Sequence, residues 1–330
     1  MQNQLVTVVR PRRGPFRTTA RLLQRLSLDP ARAPYALART SCFPLLVPAD
    51  FAARMRPGDW HDPLLLQVLP RAEECRARPG FSRDPVCDRA AAVSPGLLHK
   101  YHGRVLVLAS GGCAVHCRYC FRRAFPFART LPGTRQHRTL WRYVRSHPEV
   151  TEVILSGGDP LTLSPARIER LLAPAYGIAH LRTLRIHTRV PVADPGRVTP
   201  AMLALMRRLS RRFTVVVVVQ ANCAEELRGR CVAALQRVRA AGALLLNQSV
   251  LLAGVNDSVD ALERLSRRLP ACGVIPYYLH QLDRAQGTWH FEVDARRGRQ
   301  LIAELRRRLP GYLVPRYVRE IPGQPSKATV

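Results

Sequence analysis

Six short runs rich in β-branched residues and leucine punctuate the chain from Arg104 onward, and they constrain its fold more than any other feature. They are Arg104–Ala109, Glu152–Leu155, Leu181–Ile186, Phe213–Val219, Ala243–Leu252 and Gly273–Leu279. Between them lie segments with helical periodicity: His137–Ser146, Pro165–Leu172, Pro200–Ser210, Ala224–Ala241 and Ser258–Leu269. Two of these open on a hydroxyl residue followed by proline, Ser164-Pro165 and Thr199-Pro200, which is helix-start chemistry. Strand and helix alternate at the spacing of βαβ units, so the strands are expected to lie parallel in one α/β sheet. Six units suit a partial (β/α)6 barrel; a doubly wound open sheet is the second choice.

Residues 1–100 show no such alternation and carry many Pro and Arg residues, including Phe43-Pro44-Leu45-Leu46-Val47-Pro48 and Asp62-Pro63-Leu64-Leu65-Leu66. They are expected to form a helical and irregular extension packed on the sheet. The division is then 1–100 extension, 101–293 barrel core, and 294–330 a C-terminal helix and tail. No apolar run approaches the roughly 18 residues that span a bilayer. Nor does an apolar stretch follow the basic residues near the N-terminus, so a cytoplasmic protein is expected.

The charge is lopsided: 52 Lys and Arg against 23 Asp and Glu give a formal +29. Only two of the basic residues are lysine, Lys100 and Lys327. The surplus suits a polyanionic or acidic partner, RNA among them, and equally a merely Arg-rich solvated surface. Eight Arg and one acid, Asp29, fall in the first forty residues, as a basic arm or a helix over Thr18 to Leu28.

Nine cysteines without an export signal argue against a disulfide framework. Cys42, Cys75, Cys87, Cys223, Cys231 and Cys272 are scattered and read as buried thiols. The other three form Cys113-x3-Cys117-x2-Cys120 immediately after the first strand. Ligands of parallel α/β sheets sit at the carboxyl ends of strands, so three thiolates there can converge on one metal centre. Zinc would need a fourth donor, for which His116 is at hand. Three Cys suffice for an iron–sulfur cluster with one open iron, and the spacing differs from paired zinc knuckles, which favours the cluster.

A cysteine triad of this spacing after the first strand of a six-unit α/β chain resembles the radical S-adenosylmethionine (SAM) superfamily. The resemblance implies a [4Fe-4S] cluster on Cys113, Cys117 and Cys120. Ser156-Gly157-Gly158-Asp159, after the second strand, resembles the family's SAM-contacting motif, with Asp159 receiving the SAM ammonium. Cys120-Phe121-Arg122-Arg123, the stretch Asn247 to Leu252 with Gly254-Val255-Asn256-Asp257, Pro276-Tyr277-Tyr278 with Asp283, and the tail Arg319 to Lys327 together resemble lysine 2,3-aminomutases. Arg54 to Asp59 and Gly80 to Val86 are similar to the short, EpmB-type branch, which makes (R)-β-lysine for the modification of translation elongation factor P. A chain ending at Val330 matches that branch too.

What this resemblance implies is specific. Pyridoxal phosphate (PLP) forms a Schiff base with Lys327, with Lys100 as the other lysine of the chain. Arg122 holds the substrate carboxylate, and Asp283 and Glu320 hold the distal ammonium of free L-lysine, a cation that is costly to desolvate unpaired. Arg104 and Gln248 are further cofactor contacts. The functional partners are elongation factor P and its lysyl-transfer enzyme. Departures from the family pattern fall at His116, Ala124, Gln220, Cys223 and Ala328. The other readings are an aminomutase for another amino acid, and a non-catalytic basic Fe–S or zinc protein that binds RNA or a ribosomal factor.

Overall fold

The computed structural model describes residues 14–38, 43–131 and 134–330. Cys42 and four of the eight arginines of the basic arm therefore lie outside the described residues. Ten strands form one mixed sheet in sequence order. They are β1 (Ala92–Ser94), β2 (Leu97–Tyr101), β3 (Arg104–Ser110), β4 (Glu152–Gly157), β5 (Thr183–Thr188), β6 (Thr214–Val219), β7 (Leu244–Val250), β8 (Ile275–His280), β9 (Arg316–Arg319) and β10 (Ala328–Thr329). β3 to β9 run parallel; the β1–β2–β3 pairs and the β9–β10 pair are antiparallel.

The six expected strands are β3 to β8, shifted by a residue or two at their ends. The expectation missed β1, β2, β9 and β10, which are short or mixed in composition. Leu97-Leu98-His99-Lys100-Tyr101 has no alternation to betray it, yet its backbone extends the sheet.

Alternation along the parallel strands explains the layering. On β5, Leu184 and Ile186 are buried in the outer core while Thr183, Arg185 and His187 face the other way. The outer core is closed by the apolar stripes of Pro165–Leu172, Pro200–Ser210, Arg230–Ala240 and Val259–Ala271. Ser164, Thr199 and Ser258 each cap a helix by accepting from a backbone N–H three residues on. The helix expected over Ala224–Ala241 is broken. A 3-10 turn at Ala224–Glu226 buries the Glu226 carboxylate, and Gly229 at φ +63° starts the true helix at Arg230.

The sheet curls strongly. Lys100 on β2 and Glu320, one residue past β9, are seven ladders apart, which in a flat sheet is ~34 Å. Their side chains meet at 2.9 Å, so the two edges are folded toward each other. Inside this curl lies the face carrying Arg185 and His187. The N-terminal extension packs a second core, Leu22, Leu23, Leu26, Val47, Phe51, Leu64, Leu65 and Leu69, against Val115 of the cysteine loop and Cys223. It thereby covers the carboxyl ends of the parallel strands.

Candidate active site

The site begins where the loops after β3 and β4 interlock. Gly158 N donates to Ser110 O at 2.6 Å, and Asp159 N to Gly112 O at 2.7 Å. A Cβ on Gly157 would stand 2.4 Å from Ser110 O, and one on Gly158 2.4 Å from Gly112 O. Both glycines are needed for this backbone contact itself. Asp159 is spoken for: its carboxylate accepts from Leu161 N (3.0 Å), Thr188 Oγ1 (2.7 Å) and Arg189 N (2.7 Å). It pins the ends of β4 and β5 together rather than offering a free acceptor. Ser156 Oγ likewise accepts from Arg122 Nη1 at 3.1 Å.

Cys113, Cys117 and Cys120 are free and half-buried on the loop after β3. Burial pushes the Cys113 thiol up and Cys120 to about 11; Cys120 and Cys117 add to the first shift and Cys117 to the second. The three thus lie within electrostatic reach of one another, and loading a metal there would release protons. Among the described residues no three His, Cys, Asp or Glu side chains converge as a single-ion site. His116 does not serve the trio: its Nδ1 meets Pro44 O at 2.9 Å and its ring stacks on Phe43 at 4.9 Å. A zinc site with His116 as fourth donor is therefore not what the loop builds. Its donor chemistry is three thiols and no imidazole, which suits a larger cluster with one open position.

Behind the cysteines sits a buried polar network that the sequence reading did not anticipate. Arg189, just past β5, donates to Cys117 Sγ (2.7 Å), Gln67 Oε1 (2.6 Å) and Glu226 Oε2 (2.7 Å). Asn222 Nδ2 donates to Gln67 Oε1 and to Tyr119 OH, and Gln220 Nε2 to the same tyrosine at 3.3 Å. Gln220 and Cys223, two of the departures, are therefore absorbed in this network. Each group leans on a residue from a distant segment, so no local motif announces it. Of the six scattered cysteines, Cys223, Cys231 and Cys272 are buried thiols as expected. Cys87 is exposed, and Cys75 is exposed and disulfide-bonded.

A second cluster joins the tail to the cysteine loop. Glu320 accepts from Lys100 Nζ through Oε1 (2.9 Å) and from Lys327 Nζ through Oε2. Lys100 also meets Asp88 Oδ1 (2.8 Å) and Val86 O (2.6 Å). The other oxygen of Asp88 accepts from Arg122 Nε at 2.7 Å. One chain of polar contacts thus runs Lys327, Glu320, Lys100, Asp88, Arg122, Ser156. Burial alone would raise the Glu320 carboxyl, but the two ammonium groups pull it down to about 2. Asp283, past β8, has no bonded cation among the described residues; burial pushes it up to about 7 against the pull of Lys327. Burial and the same lysine drive His280 down to about 3. His187 is driven well below the ordinary imidazole range for the same reasons, with Arg185, Lys327 and Arg122 adding to burial, and its Nε2 is buried without a partner.

The structure therefore brings Arg122, Asp283, Glu320 and Lys327 to one place. It adds Lys100, Asp88, Tyr101, His187 and His280. Arg104 stacks over Tyr101 at 4.7 Å beside this cluster. Gln248 lies on β7 in register with Tyr278 of β8. Lys100 had one signal in the sequence, its rarity, and His187 and His280 had theirs, a position just after an expected strand; Asp88 had none.

A curled mixed α/β sheet presents a three-cysteine loop and a lysine-bearing tail at one end, and the carboxyl ends of parallel strands are where α/β enzymes place their active sites. Comparison with known proteins narrows the class. The chain is 46% identical over 285 residues to the L-lysine 2,3-aminomutase of Escherichia coli (strain K12), covering 86% of this chain and 82% of that protein. It is 40% identical over 306 residues to that of Haemophilus influenzae, covering 93% and 90%. With the Clostridium subterminale enzyme it shares 35% over 276 residues, 83% of this chain and 65% of that one. A solved radical SAM methyltransferase from Sphaerobacter thermophilus overlaps 67% of the chain at a TM-score of 0.47 and 22% identity. No family model matches. The chain belongs to the L-lysine 2,3-aminomutase family, whose members are isomerases.

Proposed function

We propose that this protein converts L-α-lysine to (R)-β-lysine as a radical SAM, PLP-dependent aminomutase. The observation that carries the reading is the juxtaposition of Lys327 with Glu320, Asp283 and Arg122, which are scattered through the sequence. Cys113, Cys117 and Cys120 would hold a [4Fe-4S] cluster. SAM would sit by the interlocked Ser156-Gly157-Gly158 loop, with Asp159 bracing that loop from behind. Lys327 would carry PLP, for which the unpartnered His187 Nε2 and the surrounding cations offer partners. When bound, the cluster with SAM supplies one-electron chemistry and PLP supplies a carrier for the migrating amine.

The remaining tasks fall to the chain. Arg122, oriented by Asp88, presents a guanidinium to the substrate carboxylate. Asp283 and Glu320 receive the distal ammonium, and Asp283 ionises as that cation arrives. The N-terminal extension shields the cysteine loop, keeping water and oxidants from the reacting atoms. The curled sheet is then a partial (β/α)6 barrel with a tail that closes over its mouth. In this reading the free product serves the lysyl-transfer enzyme that modifies elongation factor P in the cytoplasm.

Anaerobic reconstitution with iron, sulfide, SAM and PLP should give β-lysine from L-lysine in preference to a β-amino acid from L-glutamate. A fully loaded protein that makes no β-amino acid from lysine refutes the assignment.

A further inference from the structure

Only two lysines occur among 330 residues, and both end on the same carboxylate. Their roles there differ. The Lys100 ammonium has three N–H donors and three acceptors: Val86 O, Asp88 Oδ1 and Glu320 Oε1 at 2.6, 2.8 and 2.9 Å. Three acceptors around a compact ammonium saturate it, and a planar guanidinium would not match them. Lys100 is therefore a fixed member of the site, and it holds Glu320 by Oε1. The other oxygen, Oε2, is left for a single exchangeable cation. Lys327 fills that place, and its charge is also the strongest pull holding the Asp283 carboxyl down against burial.

A lysine side chain seated on Glu320 Oε2, within electrostatic reach of Asp283, is chemically the distal end of a lysine substrate. We infer that Lys327, until it carries the cofactor, is a placeholder that occupies the seat of the substrate's distal ammonium, while Lys100 positions Glu320 to offer that one seat. Loading the cofactor onto Lys327 would take its ammonium off Oε2 and open the seat, so cofactor would precede substrate. The proposal rests on the reading of Lys327 and the acid pair given above. It adds that the two occupants exclude each other.

The test uses the full chain with its cluster loaded and PLP withheld. L-Lysine is titrated into the wild type and into Lys327→Met by calorimetry, with L-norleucine as a ligand that lacks the ammonium. L-Lysine should bind Lys327→Met at least tenfold more tightly than wild type. Norleucine should bind the two alike, and adding Glu320→Gln should abolish the gain. Lys327→Arg keeps a cation in the seat and should bind as weakly as wild type, which guards against a Met variant that fails to fold. Equal lysine affinity of wild type and a folded Lys327→Met overturns the proposal, as does a gain of the same size for norleucine.

Borohydride trapping of PLP followed by peptide mapping separates the two claims. Label on Lys327 without the affinity gain leaves the cofactor reading standing and removes the placeholder. A gain without label does the reverse.

Discussion

Replacing Asp283 by Asn should stabilise the cofactor-free protein at alkaline pH. Asp283 has no bonded cation among the described residues, and burial lifts its carboxyl from 3.8 to about 7. The folded state thus holds a proton that the unfolded chain has already lost. The stability this group contributes is full below the unfolded value and is lost as pH rises to the folded one. A shift of about 3 units at 1.36 kcal/mol each is about 4 kcal/mol of destabilisation once the group is ionised. Asp283 is only half-buried, and its partial exposure to solvent reduces the figure to about 2–4 kcal/mol. Asn has the shape of the protonated acid and no charge to desolvate. Urea denaturation should show Asp283→Asn more stable than wild type by that amount at pH 8, with the gap falling well below 1 kcal/mol at pH 4. No gain at pH 8 would refute the claim that Asp283 waits uncompensated for a cation.

Two further outcomes follow from the same geometry. Glu320 is the mirror case: its carboxyl is held at about 2, so its contribution is present above about pH 4.5 and fades as pH falls toward 2. Glu320→Gln should therefore be less stable than wild type at pH 7, and acid titration of both proteins should show the difference shrinking below pH 4. Gly158→Ala drives a Cβ against Gly112 O at 2.4 Å. It should cost about 3 kcal/mol and lower iron incorporation, read from the urea midpoint and iron content.

Much of the fold was legible because parallel α/β architecture announces itself locally. A buried strand such as Thr214-Val-Val-Val-Val-Val219 can be little else, and Ser164-Pro165 or Thr199-Pro200 starts a helix wherever it occurs. The edges were not legible. β2 and β9 are strands only because their backbone groups find a neighbour, and neither has the alternation that would mark it alone. The break at Gly229 escaped for a related reason. The turn before it exists to bury Glu226, whose partners Gln67 and Arg189 come from elsewhere in the chain.

The candidate site divides in the same way. Cys113, Cys117 and Cys120 sit on one loop, so their spacing already says that they can share a centre. Gly157 and Gly158 stand out in the sequence only as part of a motif resembling a cofactor-contacting one. What approaches them is the loop after β3, and Asp159 braces the junction.

By itself the amino-acid order determined the strand–helix alternation, the cysteine trio and the scarcity of lysine, because each is a pattern within a short stretch or a simple count. Only the tertiary structure decided that Lys100 and Lys327 share one carboxylate, that Asp88 links Lys100 to Arg122, and that His116 turns away from the cysteines. Those relations depend on a sheet whose edges are ~34 Å apart when flat and in contact when curled, and curvature is a property of packing that no short segment encodes.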